Sequence, residues 1–342
     1  MGERECRDSA ILPISLSPLL RFSCFVFLWL VLLMTAQLPL IIVNPASASG
    51  RTGKNWASLA SAIRTHFGPF SVEFTNATGD GEIIASEEVK NGRSFIIACG
   101  GDGTISEVTN GIMKSGGSAE LGIIPRGTGG DFRRSLKLPD RIEDAARELR
   151  NGMSQKIDIG RASYLNDQGK IENRHFINVA SFGMSGHVIE KSKEGSATFG
   201  GKVSYLAATL KTTLTFDKPE VWLEVDDKPT QRIRIANVCI ANGRYFGGGM
   251  KVAPDAKLND GLFDVVAIGD IGKIEILAKA YRLYNGTHLS MDQVGLTQGS
   301  RIKAGAVKDD TIVKVELDGE VVGQLPATFE MIPNSLTLRC AK

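Results

Sequence analysis

The chain has 342 residues, 42% hydrophobic and 23% charged, long enough for two modest cores and too apolar to be disordered or fibrous. Forty basic against thirty-eight acidic residues leave a formal charge of +2, so composition offers no case for nucleic acid as a partner. The five cysteines (Cys6, Cys24, Cys99, Cys239, Cys340) are scattered, odd in number and without CxxC spacing, which argues against a disulfide framework or zinc site and suits a reducing cytoplasm.

Residues 1–35 form an apolar N-terminal extension. Its run FSCFVFLWLVLLMT (Phe22–Thr35) follows Arg4, Arg7 and Arg21 and falls short of the roughly 20 apolar residues that span a bilayer. Basic residues ahead of it would hold the N-terminus inside and export the remainder. It reads either as a membrane-associating anchor or as sequence upstream of a start at Met34.

From Leu38 the pattern alternates. The β-branched run Leu38–Val43 predicts a buried strand that stops at Asn44-Pro45. Trp56, Leu59, Ala60, Ile63 and Phe67 then lie on one helical stripe. Strands at Phe70–Phe74, Ser94–Ala98 and Leu121–Ile124, with helices at Glu82–Val89 and after Thr104, predict a parallel sheet covered on both faces. Beyond about residue 157 the runs His175–Ala180, Val221–Val225, Arg232–Ala241, Leu262–Ile268, Thr311–Leu317 and Thr328–Met331 predict a mainly antiparallel second domain. Helices at Gly201–Thr213 and Ile274–Tyr284 interrupt it, and a cleft between two domains is a natural ligand site.

The strongest chemical signal is Gly100-Gly101-Asp102-Gly103-Thr104, set between the strand SFIIAC and a helix. Glycines admit a polyphosphate to the backbone, and a helix start offers free N–H groups to an anion. Gly-Asp-Gly alone also makes an ordinary tight turn, so context carries the reading. Asp102 would reach a magnesium ion on the nucleotide or orient an acceptor hydroxyl as its base. Thr104 and Glu107 have the spacing of a capping box, which makes Glu107 structural.

A second loop, Pro125-Arg126-Gly127-Thr128-Gly129-Gly130-Asp131-Phe132, repeats the strand-loop-helix setting, and two such loops converge on one crevice in an open α/β sheet. Arg126, Arg133 and Arg134 would add charge there. The loop with Asn44, Gly50, Gly53 and Lys54 would form a third wall. Gly247-Gly248-Gly249 suggests a close backbone approach, while Asp260-Gly261 and Asp318-Gly319 read first as turns. Glu320 follows the second of these, at a strand start, where its carboxylate can accept a hydroxyl proton.

Taken in order, the NPxSG-like loop, GGDGT, PxGTGxDF, NGxYxGGG, APxAxxxDGLxD and the late DGE resemble the diacylglycerol kinase catalytic family, in particular its bacterial YegS-like lipid kinase branch, over about residues 38–340. The resemblance implies a Rossmann-like α/β domain of the NAD kinase and diacylglycerol kinase type plus an all-β sandwich domain. It divides the chain into 36–157, rejoined by about 324–342, and 158–323. By the same resemblance Glu320 is the general base, and Asp102 and the loop glycines match the nucleotide and magnesium loop; Asn44, Gly100, Gly101, Gly103, Thr104, Gly127, Thr128 and Gly129 would line the ATP site, with Arg126 adding charge to it. Asp260 would lie near a structural magnesium.

The implied activity is transfer of the γ-phosphate of ATP to a hydroxyl of a membrane lipid, with diacylglycerol leading, by a cytoplasmic enzyme at the membrane surface, with a homodimer an option. Three departures stand out: Gly130 occupies the place of the family's usual asparagine, Arg133 that of an alanine, and Arg126 a place where a small or apolar residue is frequent. An NAD kinase-like enzyme also uses a GGDG loop, and a silent nucleotide or lipid sensor would suit the altered second loop.

Overall fold

A computed structural model describes residues 37–199 and 201–340, so the apolar run Phe22–Thr35 lies outside the described residues. The first half runs β1 (Leu40–Val43), α1 (Trp56–His66), β2 (Ser71–Phe74), α2 (Asp80–Lys90), β3 (Phe95–Gly100), α3 (Asp102–Lys114), β4 (Glu120–Pro125), α4 (Asp131–Leu136) and α5 (Ile142–Asn151), with one helical turn at Arg51–Lys54. β4, β3, β1 and β2 are parallel neighbours in that order. Leu40, Ile42, Ile96 and Ala98 pack into one apolar layer, and Ile41, Val43, Ile97 and Cys99 into the layer behind. Burial of both faces explains why these strands read as continuous apolar runs.

The second half is β5 (Met153–Leu165), β6 (Ile171–Phe176), β7 (Val179–Gly183), α6 (Met184–Phe199), α7 (Gly201–Thr215), β8 (Glu220–Val225), β9 (Gln231–Arg234), β10 (Asn237–Ala241), β11 (Phe263–Ile268), α8 (Lys273–Lys279), α9 (Tyr281–Asn285), β12 (Val294–Gly299), β13 (Arg301–Ala306), β14 (Lys314–Leu317) and β15 (Glu320–Cys340). Its pairings are antiparallel, and its core gathers Phe176, Phe182, Phe263 and Phe329. Phe176 stacks on Phe263 with ring centroids 5.5 Å apart. The fold is thus an N-terminal α/β part followed by a β-sandwich-like part.

Strand β15 joins them. Its beginning pairs with β14, its middle with β13 and β5, and Thr337–Leu338 with β4 in parallel. The sheet therefore continues from the parallel strands into the antiparallel ones, and residues from Pro39 onward form one compact unit.

Several expected boundaries shift. The run His175–Ala180 is two strands, because the N–H groups of Ile177, Asn178 and Val179 all donate to the Asp318 carboxylate, at 3.0, 2.9 and 3.2 Å. Arg232–Ala241 breaks between β9 and β10, and Ile274–Tyr284 between α8 and α9. Helix α5 is not among the expected elements, although Ile142, Ala145, Ala146 and Leu149 form a helical stripe that is buried throughout. Strands β5, β12 and β13 alternate too weakly to stand out.

Within the sandwich, Glu316 of β14 is fully buried. Ser181 Oγ donates to its Oε2 at 2.6 Å, and burial pushes the carboxyl up from 4.5 to about 7. A raised carboxyl is protonated in the native state where the unfolded chain has already ionised, so its contribution is fully present below pH 4.5 and lost as pH rises through about 7. We predict that native stability declines by about 3 kcal/mol over that window on account of this group. Glu316→Gln should flatten the decline, as measured by urea unfolding at successive pH values between 4.5 and 8; an unchanged slope would assign the decline to other groups.

Candidate active site

Helix α3 begins at the end of β3 with Gly101 as its N-cap, and no side chain caps it. The first N–H groups of a helix have no intrahelical acceptor, so those of Asp102, Gly103 and Thr104 are presented outward with the positive end of the dipole. A Cβ at Gly100 would run into the Thr104 side chain, which fixes glycine there. Asn44 Nδ2 donates to Thr104 Oγ1 at 3.2 Å and its Oδ1 accepts from Ala46 N at 3.0 Å, joining the first loop to this helix start. The capping-box expectation fails, because the helix starts two residues before Thr104. Glu107 is structural through other partners: it accepts the N–H groups of Gly79 and Gly81 at 2.8 and 3.0 Å and so caps α2. Burial raises its carboxyl, which the two N–H groups partly offset.

The second loop lies directly against the first. Arg126 N donates to Gly100 O at 2.7 Å, and a Cβ at Gly127 would lie 2.6 Å from Gly101 Cα. The Asp102 carboxylate accepts from the N–H groups of Gly130 (2.7 Å), Asp131 (3.2 Å) and Phe132 (3.2 Å), the start of α4. A Cβ at Gly129 would meet the same carboxylate at 2.8 Å. Gly130 has φ +66°, a conformation that asparagine also tolerates, so glycine in the family's asparagine position preserves the backbone. Thr128 is exposed at the loop tip.

Of the three arginines expected in the crevice, Arg133 pairs with Asp140 at 2.6 Å and donates to Leu138 O, and Arg134 pairs with Asp131 at 2.9 Å. Only Arg126 reaches the loop that carries Asn44, where its Nε donates to Thr52 Oγ1 at 3.4 Å. Asp131 itself accepts from Gly248 N at 2.8 Å, which docks the triple-glycine loop, whose members all have positive φ, onto α4. Burial raises the Asp131 carboxyl.

Asp318 and Gly319 form the expected two-residue turn, with φ of +50° and +92°. Glu320 follows it. A Cβ at Gly103 would stand 3.6 Å from Glu320 Oε1, so the carboxylate faces the glycine-rich start of α3, while Oε2 accepts from Arg174 Nη2 at 2.8 Å. Arg174 was not legible in the sequence: it lies in β6, and only packing brings it there. Asn110 of α3 accepts from His175 N at 2.9 Å and donates to His175 O at 2.9 Å, registering β6 on the helix and so placing the adjacent Arg174.

Asp260 stands in an exposed turn, where its Oδ1 accepts from Leu262 N at 3.2 Å. Its neighbour Gly261 donates to Asp158 Oδ2 at 2.7 Å, and Asp158 Oδ1 accepts from Asn334 N at 2.7 Å. Asp264 nearby is raised first by burial and then by the charges of Asp260 and Asp255. Among the described residues no group of three or more His, Cys, Asp or Glu side chains is arranged to hold a metal. Magnesium characteristically takes one or two carboxylates and completes its shell with substrate phosphates and water, a habit that Glu320, with Oε1 3.6 Å from the Cβ position of Gly103, fits.

Comparison with known proteins identifies the family. Residues 39–162 match the diacylglycerol kinase catalytic domain, and residues 178–340 match the YegS C-terminal NAD kinase beta sandwich-like domain. A diacylglycerol kinase of Bacillus subtilis (strain 168) is 31% identical over 84% of this chain and 91% of its own length. A "Probable lipid kinase YegS-like" of Alcanivorax borkumensis is 30% identical over 78% of this chain and 86% of its own. In structure, a diacylglycerol kinase from Bacillus anthracis str. Sterne matches with a TM-score of 0.66 at 22% identity, over 89% of this chain and 97% of that one, a likeness of fold. The chain belongs to the diacylglycerol kinase family and is a lipid kinase, a phosphotransferase that uses ATP and acts on an alcohol group.

Proposed function

We propose that this lipid kinase phosphorylates diacylglycerol to phosphatidic acid at the cytoplasmic surface of a membrane. The observation that carries the site assignment is that Glu320, a partly exposed carboxylate, faces Gly103 across the open helix start. Residues 36–157, rejoined by about 324–342, would hold the nucleotide, and 158–323 would form the sandwich domain. The N–H groups of Asp102, Gly103 and Thr104 receive the phosphates, with Gly100, Gly101, Gly127, Thr128 and Gly129 keeping the walls thin and Arg126 adding charge. Asn44 holds Thr104 in place.

Glu320 is the better of the two candidate bases. Asp102 has both oxygens engaged on α4, so its role is to hold the two loops together and offer charge to a divalent ion. Arg174 fixes one Glu320 oxygen and leaves the other toward the incoming hydroxyl. A bound magnesium ion would neutralise charge on the transferring phosphoryl group. The lipid hydroxyl attacks the γ-phosphorus in line, its proton passes to Glu320, the bond to the bridging oxygen breaks, and ADP leaves; no phosphoenzyme forms. Asp260 remains the proposed neighbour of a structural cation.

Glu320→Gln should lower kcat about 10²- to 10⁴-fold with little change in KM for ATP, the signature of a lost general base. Equal loss in binding and turnover would assign Glu320 to nucleotide binding instead. Gly127→Ala, which forces a Cβ onto Gly101, should abolish ATP binding measured by calorimetry while the far-ultraviolet circular dichroism of the chain persists. Retained affinity would show that the two loops separate freely.

The acceptor follows from γ-labelled ATP offered with diacylglycerol, sphingosine, phosphatidylglycerol and NAD. Label in diacylglycerol, lost in Asp102→Ala, is the expected result. Label in another lipid replaces the acceptor, and label in NAD alone overturns the assignment.

A further inference from the structure

Helices α8 and α9 carry a feature that the phosphate-transfer site does not use. Ile274, Leu277, Tyr281 and Tyr284 recur at spacings of three, four and three residues, one face of a nearly continuous helix. In a helix serving the core that stripe would be buried. Here it is turned outward, with exposures of 81%, 36%, 58% and 51%. Leu210 and Leu214 of α7, one turn apart, are exposed as well, and Lys273 Nζ donates to Leu214 O at 2.9 Å, so the two sets belong to one surface.

The charges around the stripe are mostly of one sign. Lys211, Lys273, Lys279 and Arg282 stand on the described stretches of these helices against a single acid, Glu275, which is already paired with Lys279. Apolar and tyrosine side chains ringed by lysine and arginine are the composition of a helix that lies in a membrane interface: the stripe enters the acyl boundary, tyrosine sits at headgroup level, and the basic groups meet anionic headgroups. No helix among the described residues is long and apolar enough to cross a membrane, so this face would lie on the bilayer.

We infer that the face formed by α8, α9 and the end of α7 docks the enzyme on an anionic phospholipid bilayer, through Ile274, Leu277, Tyr281 and Tyr284 with Lys211 and Lys273 at its edge. The inference rests on the lipid-acceptor reading, since an enzyme whose substrate stays in the bilayer must bring its cleft to the lipid. A second copy of the chain is the competing occupant, and uncompensated positive charge on both copies opposes it.

The test uses the full chain, with a local probe so that contributions from other segments do not enter. Cys99, Cys239 and Cys340 are buried, so with Cys6→Ser and Cys24→Ser an environment-sensitive fluorophore can be placed at Leu277→Cys, or at Ile171→Cys as an equally apolar exposed control on the β5–β6 hairpin. On vesicles of phosphatidylcholine with about 30% phosphatidylglycerol the probe at 277 should shift to the blue, less so on phosphatidylcholine alone, and the probe at 171 should not shift. Ile274→Ser with Tyr281→Ser should raise the lipid concentration for half-binding about tenfold and lower the rate on vesicle-borne substrate. It should leave the rate on detergent-dispersed diacylglycerol unchanged.

A silent probe at 277 on a chain that co-sediments with vesicles would overturn the inference, as would a dimer in sedimentation velocity that the double substitution dissociates. Absence of transfer to dispersed diacylglycerol by the wild type would instead sink the acceptor assignment, whatever the probe reports.

Discussion

The site depends on one carboxylate set between two loops. Asp102 leaves α3 at its first turn and takes up the N–H groups of Gly130, Asp131 and Phe132 at the start of α4. Adjacent parallel strands bring the two loops near, with Gly100 opposite Pro125, but strand pairing ends there. Beyond it the loops would be free to part. Three backbone donors and the positive end of a helix offset the cost of partly desolvating the carboxylate, and in return the carboxylate fixes the distance between the loops. The close approach of Gly101 to Gly127 is held by that tie together with the Arg126 N–H donated to Gly100 O.

The same device recurs through the molecule. Asp131 takes the N–H of Gly248, Asp158 takes those of Gly261 and Asn334, and Asp318 takes those of Ile177, Asn178 and Val179. Each carboxylate joins a turn to a strand or helix distant in sequence. Glu320 differs. It accepts from one arginine, keeps part of its surface in water and turns its other oxygen to a helix start that nothing caps. That contrast between committed carboxylates and one with spare capacity is what supports its assignment as the base.

Much of this was legible beforehand. The GGDGT and GTG loops, their strand-to-helix settings and the Asp318-Gly319 turn all follow from local rules, because glycine permits what other residues do not and a short apolar run bounded by turn residues marks a buried strand. The partners were not. Glu107 has capping-box spacing, yet it serves α2, since the helix that bears it starts before Thr104. Arg133 and Arg134 look like phosphate ligands and are instead spoken for by Asp140 and Asp131.

What the sequence by itself determined is the local alphabet of the fold: parallel strands buried on both faces, helices with one apolar stripe, glycine-rich loops at strand ends, and a family identity carried by ordered motifs. What only the tertiary structure decided is which polar group meets which. Arg174 reaches Glu320 because Asn110 registers β6 on α3, and β15 closes on β4 only after pairing with three other strands. Backbone geometry is set within a few residues, whereas a hydrogen bond between residues far apart in the chain exists only once the core has brought both ends together.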